Sequence, residues 1–382
     1  MKLSSDDLPM FFDGSHRALA ERLRAAAPAL AAVESDAAAD EAARDRAAAS
    51  ALGSAGLFEL CVSERAIESR SLCLAREMLG YVSPRADSIF AVQGLGTHPI
   101  ALAGSAEQRA QLAEFALGRR IAAFALTEPD AGSDVAAIAT RATACLGGYR
   151  LDGDKRFISN LGIADYAAVF ATTDPALGSA GLAAFWVALD APGVTVRPMA
   201  AIAAHPIGAL ELRDVAIPVT ARIGEVGHGM KLAMQTLDAF RVSVGAAAVG
   251  MARRAFDEAI GFVTGRAQFG KLLADQPLVQ AHVADMAVDL DAARLLVLRA
   301  AHRKDTTEDR VTVEVSIAKL GATEAAQRVI DRAVQLFGGR GVMAGAVVEQ
   351  LYRAIRPLRI YEGTSEIQRT IIGRALTRGR SP

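Results

Sequence analysis

The chain has 382 residues, 52% of them apolar and 22% charged, with a formal net charge of -1. Such a length exceeds a single small core and predicts two to three domains. The near-neutral balance, without any Lys/Arg run, excludes an electrostatic nucleic-acid or membrane-surface binder, and no stretch approaches the ~20 uninterrupted apolar residues of a membrane span.

At the N-terminus Asp6, Asp7 and Asp13 interrupt any signal-peptide layout. Helical patterning then dominates residues 15–32, 36–51 and 64–81, which are rich in alanine and lack strand-like alternation. Thr97-His98-Pro99 reads as a helix break, followed by another helix over 100–117 with Gly104-Ser105 as an interruption. Between 121 and about 224 the texture changes to short β-branched and aromatic runs, 166–172, 182–189, 194–198 and 209–218, punctuated by turn signals such as Asp152-Gly153 and Ala191-Pro192-Gly193. From Met230 long helical stripes return, including Val283, Met286, Leu290, Ala293 and Val297, then Val315, Ala318, Ala322 and Ala325. The fold expected is α+β and multidomain: an N-terminal all-α domain over 1–120, a middle antiparallel β domain over 121–226, and a C-terminal four-helix bundle over 227–382.

Cys61, Cys73 and Cys145 are an odd, widely spaced set and read as buried thiols in a reducing compartment. Neither they nor the six histidines have metal-ligand spacing, so no metal is expected and the expected location is cytoplasmic. Arg374, Arg378 and Arg380 read as a solvated helix end and tail.

Four segments carry chemistry. They are Leu126-Thr127-Glu128-Pro129-Asp130-Ala131-Gly132-Ser133-Asp134 with the preceding Phe124, Gly153-Asp154-Lys155-Arg156-Phe157-Ile158-Ser159-Asn160, Arg266-Ala267-Gln268-Phe269-Gly270-Lys271, and a last one. That last runs from Gln335-Leu336-Phe337-Gly338-Gly339-Arg340-Gly341 to Ile360-Tyr361-Glu362-Gly363-Thr364-Ser365-Glu366-Ile367-Gln368-Arg369. Alone, each has a plain reading: a capped turn over 127–134, or a surface carboxylate at Glu362. Gly339-Arg340-Gly341 imitates a dinucleotide fingerprint but follows a helical segment instead of a strand.

Together and in this order, the four segments resemble the acyl-CoA dehydrogenase family across about residues 15–376. The resemblance implies an FAD enzyme that desaturates an acyl thioester between its α and β carbons. A glutamate at the position of Glu362 removes the pro-R α-proton while the β-hydrogen leaves as hydride to the flavin. The backbone N–H of Glu362 and a flavin ribityl hydroxyl then steady the charge on the thioester oxygen. Water exclusion raises the pKa of the base toward the operating pH.

The same resemblance puts Phe124, Leu126 and Thr127 along the isoalloxazine, Phe157 and Ser159 over its other side, and Ser133 at both cofactor and substrate. Arg266, Gln268, Phe269, Gln335, Gly338 and Gly339 reach a neighbouring subunit's FAD, and Gly363, Thr364 and Glu366 complete the cofactor contacts. Acyl-thioester contacts fall on Gln93, Thr97, Ser133, Asp238 and Arg241, with residues 91–97 as part of the cavity wall. A homodimer or homotetramer and an electron-transfer flavoprotein as electron acceptor are implied. The competing expectations are an acyl-carrier-protein thioester, an oxidase, and a non-catalytic FAD-binding homologue. The sequence departs from the family at Phe157, often tryptophan elsewhere, at Pro277, and in a shortened loop after Leu60-Cys61-Val62.

Overall fold

The computed structural model describes residues 1–36 and 39–378; Arg380 and the side chain of Arg378 lie outside them, and Arg374 is exposed. The helices before the sheet are α1 (Ser4–Asp7), α2 (Gly14–Ser35), α3 (Glu41–Ser54), α4 (Ser69–Val82), α5 (Pro84–Ala103), α6 (Ala106–Ala110) and α7 (Leu112–Ala116). The strands are β1 (Ala122–Ala125), β2 (Arg141–Cys145), β3 (Gly148–Ser159), β4 (Tyr166–Thr172), β5 (Leu182–Ala188), β6 (Val194–Pro198), β7 (Ile207–Pro218) and β8 (Arg222–Ile223). After α8 (Gly229–Gly265) and a hairpin of β9 (Ala267–Gln268) and β10 (Lys271–Leu272) come α9 (Pro277–Thr306), α10 (Thr312–Phe337), α11 (Val347–Ile355) and α12 (Ser365–Arg378). The order is the expected one, with helices first, a β domain in the middle and helices last.

By packing, the chain forms two compact units: Met1–Ala31, Glu68–Asp87 and Arg241–Pro382 make one, and Ala32–Ile67 with Ser88–Phe240 make the other. Helices from before the sheet fall in both units, because an apolar helix face can be covered by elements far along the chain.

The first unit has a helical core. On α10, Val315, Ala318, Ala322, Ala326 and Val329 fall at spacings of three and four and are buried against Val297, Ala300 and Ala301 of α9. The expected stripes, 283–297 and 315–325, lie inside α9 and α10, since apolar residues at helical spacing over this length are a clear helix signal.

The second unit is built around the sheet, in the order β6-β7-β3-β2-β4-β5-β8. Its pairings are antiparallel except for β1 on β4, and for one residue pair between β2 and β4. β4 and β5 are buried on both faces, so they read as continuous apolar runs without alternation. β3 pairs with β7 through a register shift between Lys155 and Ile158, where Phe157 takes a positive φ of 58°. Such a bulge re-aims a side chain out of the pleat, and Phe157 is exposed.

Two expectations need correction. Thr97-His98-Pro99 does not break the chain: α5 continues from Pro84 to Ala103 with Pro99 inside it. Residues 89–91, 93, 95 and 97–98 of that helix are buried, and packing on several sides outweighs the one N–H that proline removes. Cys145 is exposed at the end of β2, unlike Cys61 and Cys73.

Candidate active site

Each unit carries its own group of the residues singled out in the sequence. In the second unit, β1 delivers Phe124 and the chain then leaves the sheet through Leu126, Thr127 and Glu128. This exit is held from below by Lys155 of β3, which has no solvent exposure. Its Nζ donates to the Leu126 carbonyl at 3.1 Å and to Glu128 Oε1 at 2.7 Å. Glu128 also accepts from the N–H groups of Ala139 and Thr140, at 2.7 and 3.0 Å. The N–H of Arg156 donates to the Thr127 carbonyl at 2.9 Å.

Burial works against ionising Glu128, but the charge and hydrogen bond of Lys155 outweigh it and its pKa lies below the usual value. Burial pulls Lys155 down to about 8, with Glu128 opposing. Thr127 is therefore carried on a segment whose backbone is fixed at both neighbours, with its own side chain only half-buried. Ser159 is half-buried, and Ser133 is exposed.

In the first unit, Glu362 stands in the turn that feeds α12. Its φ is 52° and that of Gly363 is 92°, two successive left-handed residues of which only the glycine is at ease. A Cβ on residue 363 would lie 2.5 Å from Gln368 Nε2 and would push that amide aside from the turn.

The turn is pinned through its carbonyls. Arg241 Nε donates to the Glu362 carbonyl at 3.2 Å, Gln368 Nε2 donates to both carbonyls at 3.3 and 3.1 Å, and Lys319 Nζ donates to that of Gly363 at 2.7 Å. Thr364 Oγ1 accepts from the Ile367 N–H at 3.2 Å and caps α12. Glu366 lies exposed in the first turn of that helix.

The Glu362 carboxylate is not tied down: Oε2 is buried without a hydrogen-bond partner among the described residues. Burial raises its pKa above the ordinary glutamate value, against the charges of Arg76, Arg241 and Lys319. Arg76 is itself fully buried, held by Asp87 and donating to Ser243 Oγ at 3.0 Å. A desolvated, unpaired carboxylate with a raised pKa is what a general base working near neutral pH requires.

A third group, also in the first unit, surrounds a cleft of about 520 Å³ lined by Arg266, Gln268, Phe337, Gly338, Gly339 and Arg340 among others. Gly338 ends α10 at φ 59° and ψ -139°, a conformation nearly confined to glycine. A Cβ on Gly339 would meet nothing within 4 Å, so this backbone lies bare. Two arginines beside bare backbone fit an anionic group such as a pyrophosphate. Gln335 lies exposed on the preceding helix. Gln268-Phe269-Gly270-Lys271 closes the hairpin with positive φ at both central residues, and Phe269 is 96% exposed at its tip.

Two residues expected at the substrate have their polar atoms engaged within the fold. Gln93 is fully buried; its Nε2 donates to the carbonyls of Phe115 and Arg120, both at 2.8 Å, and its Oε1 accepts from the Ala122 N–H at 2.8 Å. Thr97 Oγ1 donates to the Gln93 carbonyl at 2.8 Å inside its own helix. These polar atoms are spent on joining α5 to the start of β1. Asp238 is half-buried, and Arg241 is buried on the Glu362 carbonyl instead of lying on a helix surface.

Sequence reasoning missed Lys319, Arg76, Asp87, Gln368 and the Lys155–Glu128 pair. A signal existed for two of them: Lys319 interrupts the Val315-Ala318-Ala322 stripe, and Arg76 sits inside an apolar run from Leu72 to Leu79.

Comparison with known proteins shows the family of the chain. The model described as acyl-CoA dehydrogenase, C-terminal domain, matches residues 227–377, and that for the middle domain matches residues 123–215. A probable acyl-CoA dehydrogenase of Mycobacterium tuberculosis is 38% identical over 336 residues, 86% of each chain. The caffeyl-CoA reductase–Etf complex subunit CarC of Acetobacterium woodii is 39% identical over 282 residues, 72% of this chain and 73% of that one. The solved butyryl-CoA dehydrogenase from Megasphaera elsdenii has a TM-score of 0.88 at 31% identity, covering 96% of this chain and 99% of that one.

Proposed function

The chain belongs to the acyl-CoA dehydrogenase family, and from that premise we propose a residue-level account of how it desaturates acyl-CoA thioesters. It is an FAD-dependent oxidoreductase acting on a CH–CH group. The observation that carries the account is the Glu362 carboxylate: buried at Oε2, unpaired, and raised in pKa.

We propose Glu362 as the base that takes the α-proton. Ionised, it is poorly solvated; on accepting the proton it becomes neutral in a site that favours the neutral form. When bound, FAD supplies the acceptor for the hydride that leaves the β-carbon. Thr127, on its fixed segment, together with Phe124, Leu126, Ser133, Phe157 and Ser159, is proposed to hold and cover the flavin ring. Gly363, Thr364 and Glu366 are proposed as further cofactor contacts, and Ser133, Asp238 and Arg241 as thioester contacts.

Arg266, Gln268, Phe269, Gln335, Gly338 and Gly339 are proposed to bind a partner subunit's FAD, which makes the working form a dimer or tetramer. In support, Phe269 is almost fully exposed, and α9 leaves Leu278, Val288 and Leu295 exposed along its length. A large apolar side chain on a hairpin tip and an apolar helix stripe are features of subunit contacts. The domains are proposed at 1–120, 121–226 and 227–382, supported by the two matched spans. An electron-transfer flavoprotein is the proposed acceptor, supported by the naming of CarC within an Etf complex. No helix of the described residues is long and apolar enough to cross a membrane, and a cytoplasmic location is proposed.

Anaerobic bleaching of the flavin by a panel of acyl-CoA thioesters, wild type beside Glu362→Gln, tests the account. Bleaching of the wild type alone, with the variant still binding thioester, supports it. Bleaching of both removes Glu362 as the base, and bleaching only by carrier-bound thioesters moves the substrate to an acyl carrier protein.

A further inference from the structure

Lys319 is the one lysine of α10, and its side chain has no solvent exposure. Its helix face is otherwise Val315, Ala318, Ala322 and Ala326, all buried. A buried ammonium is costly unless paired and hydrogen-bonded. Yet no carboxylate of the described residues lies within ion-pair distance of Nζ, and the hydrogen bond it makes goes to the backbone carbonyl of Gly363. A packing role alone would be filled better by methionine or leucine.

The bonded carbonyl belongs to the residue after Glu362, in a turn that places a glutamate at positive φ. An L residue in that region is unfavourable by roughly 1–2 kcal/mol. The turn persists because donors on three helices, Arg241 of α8, Lys319 of α10 and Gln368 of α12, converge on its two carbonyls. Of these three, Gln368 carries no charge.

We infer that Lys319 is a positioning residue for the desaturation: it holds the Glu362–Gly363 turn through the Gly363 carbonyl, and its positive charge favours the ionised carboxylate. This rests on the reading of Glu362 as the base. The charged groups acting on Lys319 are Glu362, Arg241, Glu324 and Glu366; burial, with Arg241, lowers its pKa to about 8 against the three carboxylates. Glu324 is already engaged by Arg359 and Ser365, and Glu366 is exposed. Glu362 is thus the carboxylate left without a partner, and each ionised group supports the other. Arg76 acts on Glu362 in the same sense as Lys319, and Asp87 in the opposite one.

The test uses FAD-loaded full-length wild type, Lys319→Met, Lys319→Gln and Gln368→Ala, reduced anaerobically by the acyl-CoA that bleaches the wild type fastest. The reduction rate constant is followed from pH 6 to 9.5, with thioester concentration varied at each pH. Loss of a nearby cation raises a carboxylate's pKa by about one unit or more. The midpoint of the rate–pH profile therefore moves up by about one unit in both Lys319 variants, and the rate at pH 7 falls about tenfold in Lys319→Met.

Lys319→Gln keeps a donor and recovers part of the rate without restoring the midpoint. Gln368→Ala loosens the same carbonyls without changing charge, so it lowers the rate at an unmoved midpoint. Half-saturating thioester concentration stays within about twofold throughout, because Lys319 acts on the base and not on binding. If Lys319→Met fails to fold, Lys319→Gln decides the matter by its midpoint. An unmoved midpoint in the folded Lys319 variants overturns the inference while leaving Glu362 as the base. A wild type bleached by no thioester overturns the desaturation reading itself.

Discussion

Arg76 and Asp87 meet as a bidentate ion pair, Nε to Oδ1 at 2.9 Å and Nη2 to Oδ2 at 2.8 Å, with both side chains buried. The pair lies among the charges that act on Glu362: Arg76 lowers its pKa and Asp87 raises it. Breaking a buried pair from one side leaves an uncompensated charge and costs about 3–5 kcal/mol. Asp87→Asn is expected to lower the melting temperature and also to shift the rate–pH midpoint down, because Arg76 then acts unopposed. A midpoint that stays put or rises would show that Asp87 serves stability alone.

Glu362 has a folded-state pKa raised by burial. A raised carboxyl contributes stability that is complete below its unfolded pKa and is lost as pH rises through the folded one. Glu362→Gln should therefore match the wild type in melting temperature at low pH and exceed it above the folded pKa. The same change should slow flavin reduction by about 10²–10⁴-fold, the usual worth of a general base. Thermal scans across pH and single-turnover reduction check the two halves separately.

Glu128→Gln removes the partner of the buried Lys155 ammonium and should cost about 3–5 kcal/mol near neutral pH. Lys155 has a folded pKa of about 8, below its unfolded value. For a depressed pKa, stability is lost as pH falls through the folded value. The melting-temperature deficit of Glu128→Gln should therefore be largest below pH 8 and shrink above it. Weaker FAD retention on gel filtration is the accompanying expectation, since Leu126 and Thr127 lose their anchor. Full retention would separate this pair from the cofactor.

Within the second unit, Phe240 fills the space over Gly94. A Cβ on residue 94 would lie 2.4 Å from its ring, which also stands edge-on to His98 at 5.6 Å. Residues 91–97 are expected to form part of the acyl-cavity wall, and we propose that the buried Phe240 ring against Gly94 limits the depth of that cavity. Phe240→Ala should cost about 3–5 kcal/mol and shift the bleaching preference toward longer chains. Gly94→Ala should be less damaging in the Phe240→Ala background than alone, with Cys61 Cβ still 2.9 Å from the added Cβ. An unchanged chain-length profile would take Phe240 out of the cavity wall.

Lys319→Met should be no less stable than the wild type at pH 7, although it loses a hydrogen bond. Lowering a fully buried lysine from 10.5 to about 8 corresponds to ~3 kcal/mol of burial cost while the amine is charged. That cost is present below pH 8 and absent above the unfolded pKa. The melting-temperature advantage of the variant should therefore diminish as pH rises through about 8. A variant less stable at every pH would mean the Gly363 hydrogen bond outweighs the buried charge.

Much was legible in the sequence because it was local. The helical stripes of α9 and α10 and the strands 166–172 and 194–198 depend on side-chain periodicity or on residues adjacent in the chain. The motifs around Thr127 and Glu362 could be located for the same reason, and Gly339-Arg340-Gly341 could be separated from a dinucleotide fingerprint by the helix before it.

What only the tertiary structure decided was which polar groups are spent and which are free. Gln93 and Thr97 carry chemistry suited to a substrate, but α5 and the start of β1 consume it. Pro99 signals a break, but packing around α5 carries the helix through it. Lys319, Arg76 and Asp87 carry no motif, because a buried charge is defined by neighbours more than ten residues away or on other helices. Desolvation and pairing are properties of three-dimensional surroundings, and these leave Glu362 Oε2 buried without a hydrogen-bond partner among the described residues.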